Sequence, residues 1–277
     1  MTLREPQGHS GPRRGVITGK VTFLGTGTSS GVPLIACDCA VCASTDPRDK
    51  RLRPSIYIDV PGHAALLVDT TPDFRQQALT HGIRRIDAIL YTHGHADHIL
   101  GLDDIRRFNW IQGGAIPCYA NAATWNTIHH VFSYAFDGAP RLGGGIPKIE
   151  PHDVTGPFLV NGVRVVPVPV WHGNAAILGF RVGNFAYLTD CNRLADEAWA
   201  LVAGVDTLVI DALRDKPHTT HFTVSEALEV IARIRPRRAY MTHMGHDLGH
   251  AATSARLPAG VELAYDGLVL DVASDVQ

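Results

Sequence analysis

Tyr91-Thr92-His93-Gly94-His95-Ala96-Asp97-His98 places four potential metal ligands within six positions, directly after the run Ile86-Asp87-Ala88-Ile89-Leu90-Tyr91. That run reads as a buried strand, so a strand ends where a ligand cluster begins. In α/β proteins the loops at strand carboxyl ends project from a rigid sheet and carry ligand sites. On a turn, alternate residues point the same way, so His93 and His95 can chelate one ion. Asp97 and His98, entering a helix, can face a second ion beside it. Two ions need more donors than this loop supplies.

Other predicted strands supply them. The alternation in Ile56, Ile58 and Val60, the turn Pro61-Gly62-His63 and the run Ala64 to Val68 predict a hairpin ending at Asp69. Val163 to Val170 reads as an extended edge strand, because of Pro167 and Pro169, and delivers Trp171-His172. A second hairpin, Ile177 to Val182 and Phe185 to Leu188, delivers Thr189-Asp190. Thr207 to Ile210 ends at Asp211, and Arg238 to Thr242 delivers His243. His172, Asp190 and His243 are therefore the candidates to complete a dinuclear site, with Asp190 able to bridge both ions. Asp69 and Asp211 either orient ligand histidines or cap strand ends.

Helices are predicted from Pro72-Asp73 to Leu79, over Leu102 to Phe108, Ala122 to Val131 and Leu194 to Val202, and from the capping box Thr223-Val224-Ser225-Glu226 to Ile234. Ser133 to Pro157, rich in Gly and Pro, is predicted to be irregular, either a lid or a surface excursion. Gly25-Thr26-Gly27-Thr28-Ser29-Ser30-Gly31 follows the first predicted strand, Val21 to Leu24, but lacks the G-x-G-x-x-G spacing and the helix of a dinucleotide fingerprint. Its N–H groups either line an anionic substrate or form a simple turn.

The chain has 277 residues, 45% hydrophobic, with a formal net charge of −2, which suits a globular domain and gives no global electrostatic pull toward nucleic acid or membrane. No apolar run approaches the roughly 18 residues of a membrane span, and the N-terminus lacks a signal peptide's hydrophobic region, so a cytoplasmic protein is expected. Residues 1–19 read as a disordered polar tail and 20–277 as a single domain. Among five cysteines, Cys37, Cys39 and Cys42 supply three thiols in a loop. This is most of a tetrahedral zinc site if one more ligand arrives; reduced buried cysteines or a redox role are the alternatives.

Thr92-His93-Gly94-His95-Ala96-Asp97-His98, followed by Gly101-Leu102, resembles the signature of the metallo-β-lactamase fold superfamily, and Asp69, His172, Asp190 and His243 match its other motifs in order. The resemblance spans roughly residues 20 to 270 and implies an α/β fold, an αββα four-layer sandwich of two mixed sheets flanked by helices. Within it the chain is similar to the PhnP-type phosphodiesterases, which act on a phosphoribosyl 1,2-cyclic phosphate. Phe23-Leu24-Gly25-Thr26-Gly27, the cysteine trio and His221-Phe222-Thr223 carry this likeness. It implies a structural zinc on Cys37, Cys39, Cys42 and His246, and a His221 that acts beside the leaving group. It also implies two catalytic divalent ions, zinc or manganese, and a homodimer. Leu66 to Gln76 and Leu102 to Arg106 look like a broad bacterial subgroup rather than the phosphonate-pathway enzyme itself.

Two divalent ions less the charges of Asp97 and Asp190 leave about +2, which suits a phosphodiester better than a neutral ester. The expected activity is cleavage of a small cyclic phosphate or nucleotide phosphodiester by a metal-bound hydroxide, with Asp97 and His221 as catalytic residues. Hydrolysis of a carbon ester, thioester or lactone on the same centre is the alternative, and a non-catalytic nucleotide-binding module is a third.

Overall fold

A computed structural model describes residues 15–138 and 145–276. One half of the chain builds a mixed sheet from β1 (Gly15–Gly25), β2 (Ser55–Val60), β3 (Ala64–Val68), β4 (Ala88–Leu90), β5 (Ile116–Ala120) and β6 (Ile149–Asp153). β1 to β3 pair antiparallel and β3 to β6 parallel. The other half begins with β7 (Phe158–Val160), β8 (Val163–His172), β9 (Ala175–Val182), β10 (Phe185–Leu188) and β11 (Arg193–Leu194). It continues with β12 (Thr207–Asp211), β13 (Arg238–Thr242) and β14 (Val261–Leu263). β8 to β10 are antiparallel, and β10, β12, β13 and β14 run parallel. The last strand, β15 (Val269–Val276), pairs along β1 and meets β8 at the single pair Val276 with Val163, which joins the two sheets at their edges.

Side chains alternate across each strand, and the alternation builds three cores. Phe23, Ile58 and Leu66 of the first sheet face Val165, Phe180 and Tyr187 of the second. The opposite faces are covered by helices. Leu67, Ile89 and Cys118 pack against α1 (Phe74–Thr80), α2 (Ala96–Ile99), α3 (Arg106–Gln112) and α4 (Ala122–Val131). Leu188, Ile210 and Met241 pack against α5 (Ala198–Leu201) and α6 (Val224–Ile234), with α7 (His250–Ser254) beside them. The result is the expected αββα sandwich. Reciprocal hydrogen bonds of Thr223 and Glu226 start α6, as the capping box predicts.

Some expectations need correction. Gly15–Gly19 is strand rather than tail, paired to Val272–Val276 of β15, while residues 1–14 lie outside the described residues. Ile149–Asp153, expected irregular, is β6; residues 139–144 of that stretch are not described. β8 is not a plain edge strand: β7 and β11 pair with the two ends of its outer side, leaving Pro167 and Pro169 between them, where no partner needs their missing N–H. The helix expected over Leu194 to Val202 shrinks to α5, because Leu194 is paired in β11. Among the described residues no helix is long and apolar enough to cross a membrane.

Candidate metal centres

The carboxyl ends of β3, β4, β10, β12 and β13 meet at one edge of the sandwich, and Asp69, the 92–98 loop, Asp190, Asp211 and His243 stand on them. Gly94 is required within the loop, because a Cβ there would lie 2.8 Å from Thr127 on α4. Asp69, Asp190 and His243 each adopt a left-handed backbone, with φ of 64°, 57° and 60°. Such a conformation is uncommon for residues with a Cβ and turns the chain sharply at the strand end.

The structure brings every predicted catalytic ligand to this edge in two adjacent groups. His93, His95 and His172 form one; Asp97, His98, Asp190 and His243 form the other. Asp190 stands between them: Oδ2 lies 3.2 Å from His98 Nε2 and 3.0 Å from His243 Nδ1, and Oδ1 lies 4.0 Å from His93 Nε2. Asp97 Oδ2 is 3.2 Å from His98 Nε2. His93 Nε2, His98 Nε2 and His243 Nδ1 are buried and make no directional hydrogen bond. Donor atoms sharing an ion at about 2.1 Å stand about 3.0 to 3.4 Å apart, depending on its geometry. The buried, unpartnered nitrogens at these spacings fit divalent ions.

Electrostatics agrees. Burial, with His98 close by, pushes His93 well down, and burial lowers His172 to about 4, so both are neutral lone-pair donors. Burial raises Asp190 and Asp97, but positive charge at His243 and His98 beside Asp190, and at His98 beside Asp97, outweighs it and keeps both ionised; bound ions would supply that charge in place of the ring protons and leave the imidazoles free to act as ligands. Asp69 is fully buried and accepts from Thr92 N–H at 2.9 Å and Thr92 Oγ1 at 2.8 Å, with His98 Nδ1 at 2.7 Å from Oδ2. It thereby orients His98 and leaves Nε2 facing the centre. Asp211 does the same for His221, with Oδ2 3.2 Å from Nδ1.

His221 lies among these groups, its ring 4.8 Å from that of His172 and stacked 4.7 Å from that of His243. Cys37, Cys39 and Cys42 converge on His246, with Sγ atoms 3.3, 3.5 and 3.6 Å from Nδ1. A tetrahedral zinc with bonds of about 2.3 Å to sulfur and 2.0 Å to nitrogen has S···N edges of about 3.5 Å. The Cys42 N–H donates to Cys39 Sγ and holds that thiol at about 6, well inside thiolate range at neutral pH.

A model of the beta-lactamase superfamily domain matches residues 65–244. The chain belongs to the metallo-β-lactamase superfamily. It is similar over its fold to a diphosphatase from the PhnP family, with 46% identity, a TM-score of 0.88, and coverage of 94% of this chain and 100% of that one. It is 37% identical over 248 residues to an octanoyltransferase of Porphyromonas gingivalis, covering 89% of this chain but half of that protein's length. It is 30% identical over 222 residues to coenzyme PQQ synthesis protein B of Methylobacterium nodulans, covering 68% of this chain and 71% of that one. The chain is a metallo-β-lactamase-fold protein whose buried His/Asp cluster and Cys3His group are consistent with catalytic and structural metals.

Sequence reasoning missed the residues that hold these loops. Asn192 accepts from Gly173 N–H at 3.1 Å and donates to Thr219 O at 2.8 Å, tying the loops of His172, Asp190 and His221 together. Buried Arg51 donates to Gly245 O at 3.0 Å and Leu248 O at 2.6 Å, either side of His246. The Gly25 to Gly31 loop is turned to the same use. Its Gly27 and Thr28 N–H groups donate to Leu52 O and Met244 O, so neither is free for an anion. A glycine-rich loop signals a close backbone approach, though not to what.

Proposed function

We propose that the chain is a dinuclear metal-dependent phosphodiesterase acting on a small cyclic phosphate or nucleotide phosphodiester. His93, His95 and His172 would hold one ion, Asp97, His98 and His243 the other, and Asp190 both; Cys37, Cys39, Cys42 and His246 would hold a structural zinc. Two divalent ions, zinc or manganese, would supply an activated water and the positive charge that offsets a phosphoryl group.

The observation that carries the reading is His221. Asp211 Oδ2 accepts the Phe222 N–H at 3.0 Å, and an oxygen already accepting one donor is best matched by a second, His221 Nδ1–H. His221 Nε2 is then the atom turned to substrate. Burial pushes Asp211 well above the usual carboxylate range and pushes His221 down, so the charged ring, which alone carries a second proton at Nε2, surrenders that proton readily. Nε2 would hold a phosphoryl oxygen or protonate the leaving oxygen, while the neutral His93 and His172 and the ionised Asp97 and Asp190 keep the donor set fixed. Asp97 would serve both as ligand and as the acceptor that orients the attacking water.

Turnover of bis(p-nitrophenyl) phosphate and of cyclic nucleotides with manganese or zinc tests the reading, and His221→Ala should lower it by about a hundredfold or more. Cleavage of a lactone or thioester, with no phosphodiester turned over under either metal, would sink it. The 46%-identical relative described as a diphosphatase favours a second reading, a diester of diphosphate as substrate. The homodimer implied by the resemblance is checked by light scattering.

A further inference from the structure

We propose that the Arg214–His218 segment is the subsite for a second phosphate, so that the substrate is a diester of diphosphate and the departing phosphate rests against His218 and Lys216. The inference develops the second reading above, a diester of diphosphate in place of a cyclic phosphate or nucleotide phosphodiester, and it rests on the phosphorus-hydrolase reading. His218 is exposed, and its ring lies 5.0 Å from that of His221, one ring outward from the metal cluster. His218 Nδ1 accepts from Thr220 N–H at 3.3 Å and stands 3.1 Å from Thr220 Oγ1. A nitrogen that accepts a backbone N–H carries no proton, so the other ring nitrogen, Nε2, is the N–H donor.

The segment is held from behind, and its charge is left facing solvent. Arg214 donates to Lys216 O and Pro217 O, each at 3.1 Å. Asn192 grips Thr219 O, and His172 Nδ1 lies 3.1 Å from Thr220 O. The segment's one acid, Asp215, is taken by a two-pronged pairing with Arg256 at 2.7 and 2.8 Å. Among the described residues no carboxylate pairs with Arg214 or Lys216. A backbone tied down at Lys216 O, Pro217 O, Thr219 O and Thr220 O therefore presents an imidazole N–H one ring from the proposed leaving-group acid, with exposed Lys216 two residues before His218 in the segment. A phosphodiester with an uncharged alcohol as leaving group has nothing to place there, whereas a diphosphate has its second phosphate. In the reaction, the oxygen of water bonds to one phosphorus and the bridging P–O bond breaks. The electron pair stays on the departing phosphate, which takes a proton from the charged form of His221, and the water's proton returns through solvent to His221; two phosphate monoesters result.

Calorimetric binding of α,β-methylene-ADP and of AMP to the metal-loaded protein, with kinetics on ADP-ribose and bis(p-nitrophenyl) phosphate, tests this. His218→Ala and Lys216→Ala should each weaken α,β-methylene-ADP about tenfold more than AMP, the loss of one hydrogen bond to a charged group. KM for ADP-ribose should rise about tenfold while kcat changes little, and His218→Gln, which keeps an N–H donor, should recover most of the loss. Equal losses on ADP-ribose and bis(p-nitrophenyl) phosphate, or no loss on either, would overturn the subsite. Wild-type turnover of bis(p-nitrophenyl) phosphate without ADP-ribose would overturn it alone. Turnover of neither would remove the phosphorus-hydrolase reading as well.

Discussion

Asp69→Asn isolates the control of one proposed metal ligand, His98, from the control of the fold. Asparagine tolerates the left-handed backbone at this position, where φ is 64°, so the chain path survives. The amide cannot repeat the hydrogen bonds. If its oxygen keeps the Thr92 N–H, 2.9 Å away, its NH2 group faces Thr92 Oγ1 and His98 Nδ1, where a carboxylate oxygen stood 2.8 and 2.7 Å away. Two donors cannot share that contact, so His98 changes tautomer. Its proton moves to Nε2, which then donates to the Asp97 or Asp190 oxygen 3.2 Å away instead of offering a lone pair. The lost charge-assisted bond costs about 1.5 to 3 kcal/mol, and changes at such supporting residues weaken metal about 10- to 100-fold. Chelator competition with zinc or manganese measures the affinity, and thermal unfolding in chelator measures the fold. A variant that binds metal within about twofold of wild type would refute the tautomer reasoning.

Arg51→Met should destabilise the chain by about 3 kcal/mol or more, because it strands buried Asp49 and the Gly245 and Leu248 carbonyls; denaturant unfolding shows it, and a change below about 1 kcal/mol argues against the clamp. Cys39→Ser should abolish tight zinc binding at the cysteine cluster and lower the melting temperature, read by elemental analysis and calorimetry; a full zinc complement in the variant contradicts the assignment. Asp266 is raised by burial to about 7, despite bonds from Leu52 N–H and Thr26 Oγ1. With the folded value above the unfolded one, its protonated form stabilises the fold fully below about pH 4, and that stabilisation is lost as pH rises through about 7. Asp266→Asn should flatten the pH dependence of unfolding across this window, by at most about 4 kcal/mol; an unchanged slope refutes it.

Strands buried on both faces were legible because they carry uninterrupted apolar runs, as in Ala64–Val68 and in Leu208, Val209 and Ile210 of Thr207–Asp211. Their ends could be named, and with them the candidate ligands. β6 was hidden because Glu150, Pro151, His152 and Asp153 show no apolar alternation and the strand lies at a sheet edge. The start of β1 was hidden for a related reason: Gly15 and Gly19 weaken the strand pattern, and the pairing that organises it comes from the far end of the chain. Candidate ligands announce themselves by residue type, so the centre was readable one strand end at a time. The supports do not: Asn192 and Arg51 bind backbone atoms far away in sequence, and a backbone carbonyl leaves no mark in the sequence that would name its partner.

The supports explain how the site tolerates its own strain. Left-handed residues cost about 1 to 3 kcal/mol each and persist only where the surroundings over-determine them. At His243 the surroundings are specific: Met244 N–H donates to Thr26 O at 3.0 Å, Thr28 N–H to Met244 O at 3.2 Å, and Gly245 N–H to Leu213 O at 2.9 Å. Arg51 closes the turn from the other side, and three residues after His243 the chain is gathered by the cysteines through His246. The cysteine cluster thus lies outside the catalytic edge and acts on it through a segment too short and too fully bonded to relax independently. An ion held by His246 would narrow the backbone freedom of His243, because the two residues share one structural element. Loss of metal at the cysteine cluster should reach the catalytic cluster through backbone geometry, without any change in the catalytic donor set.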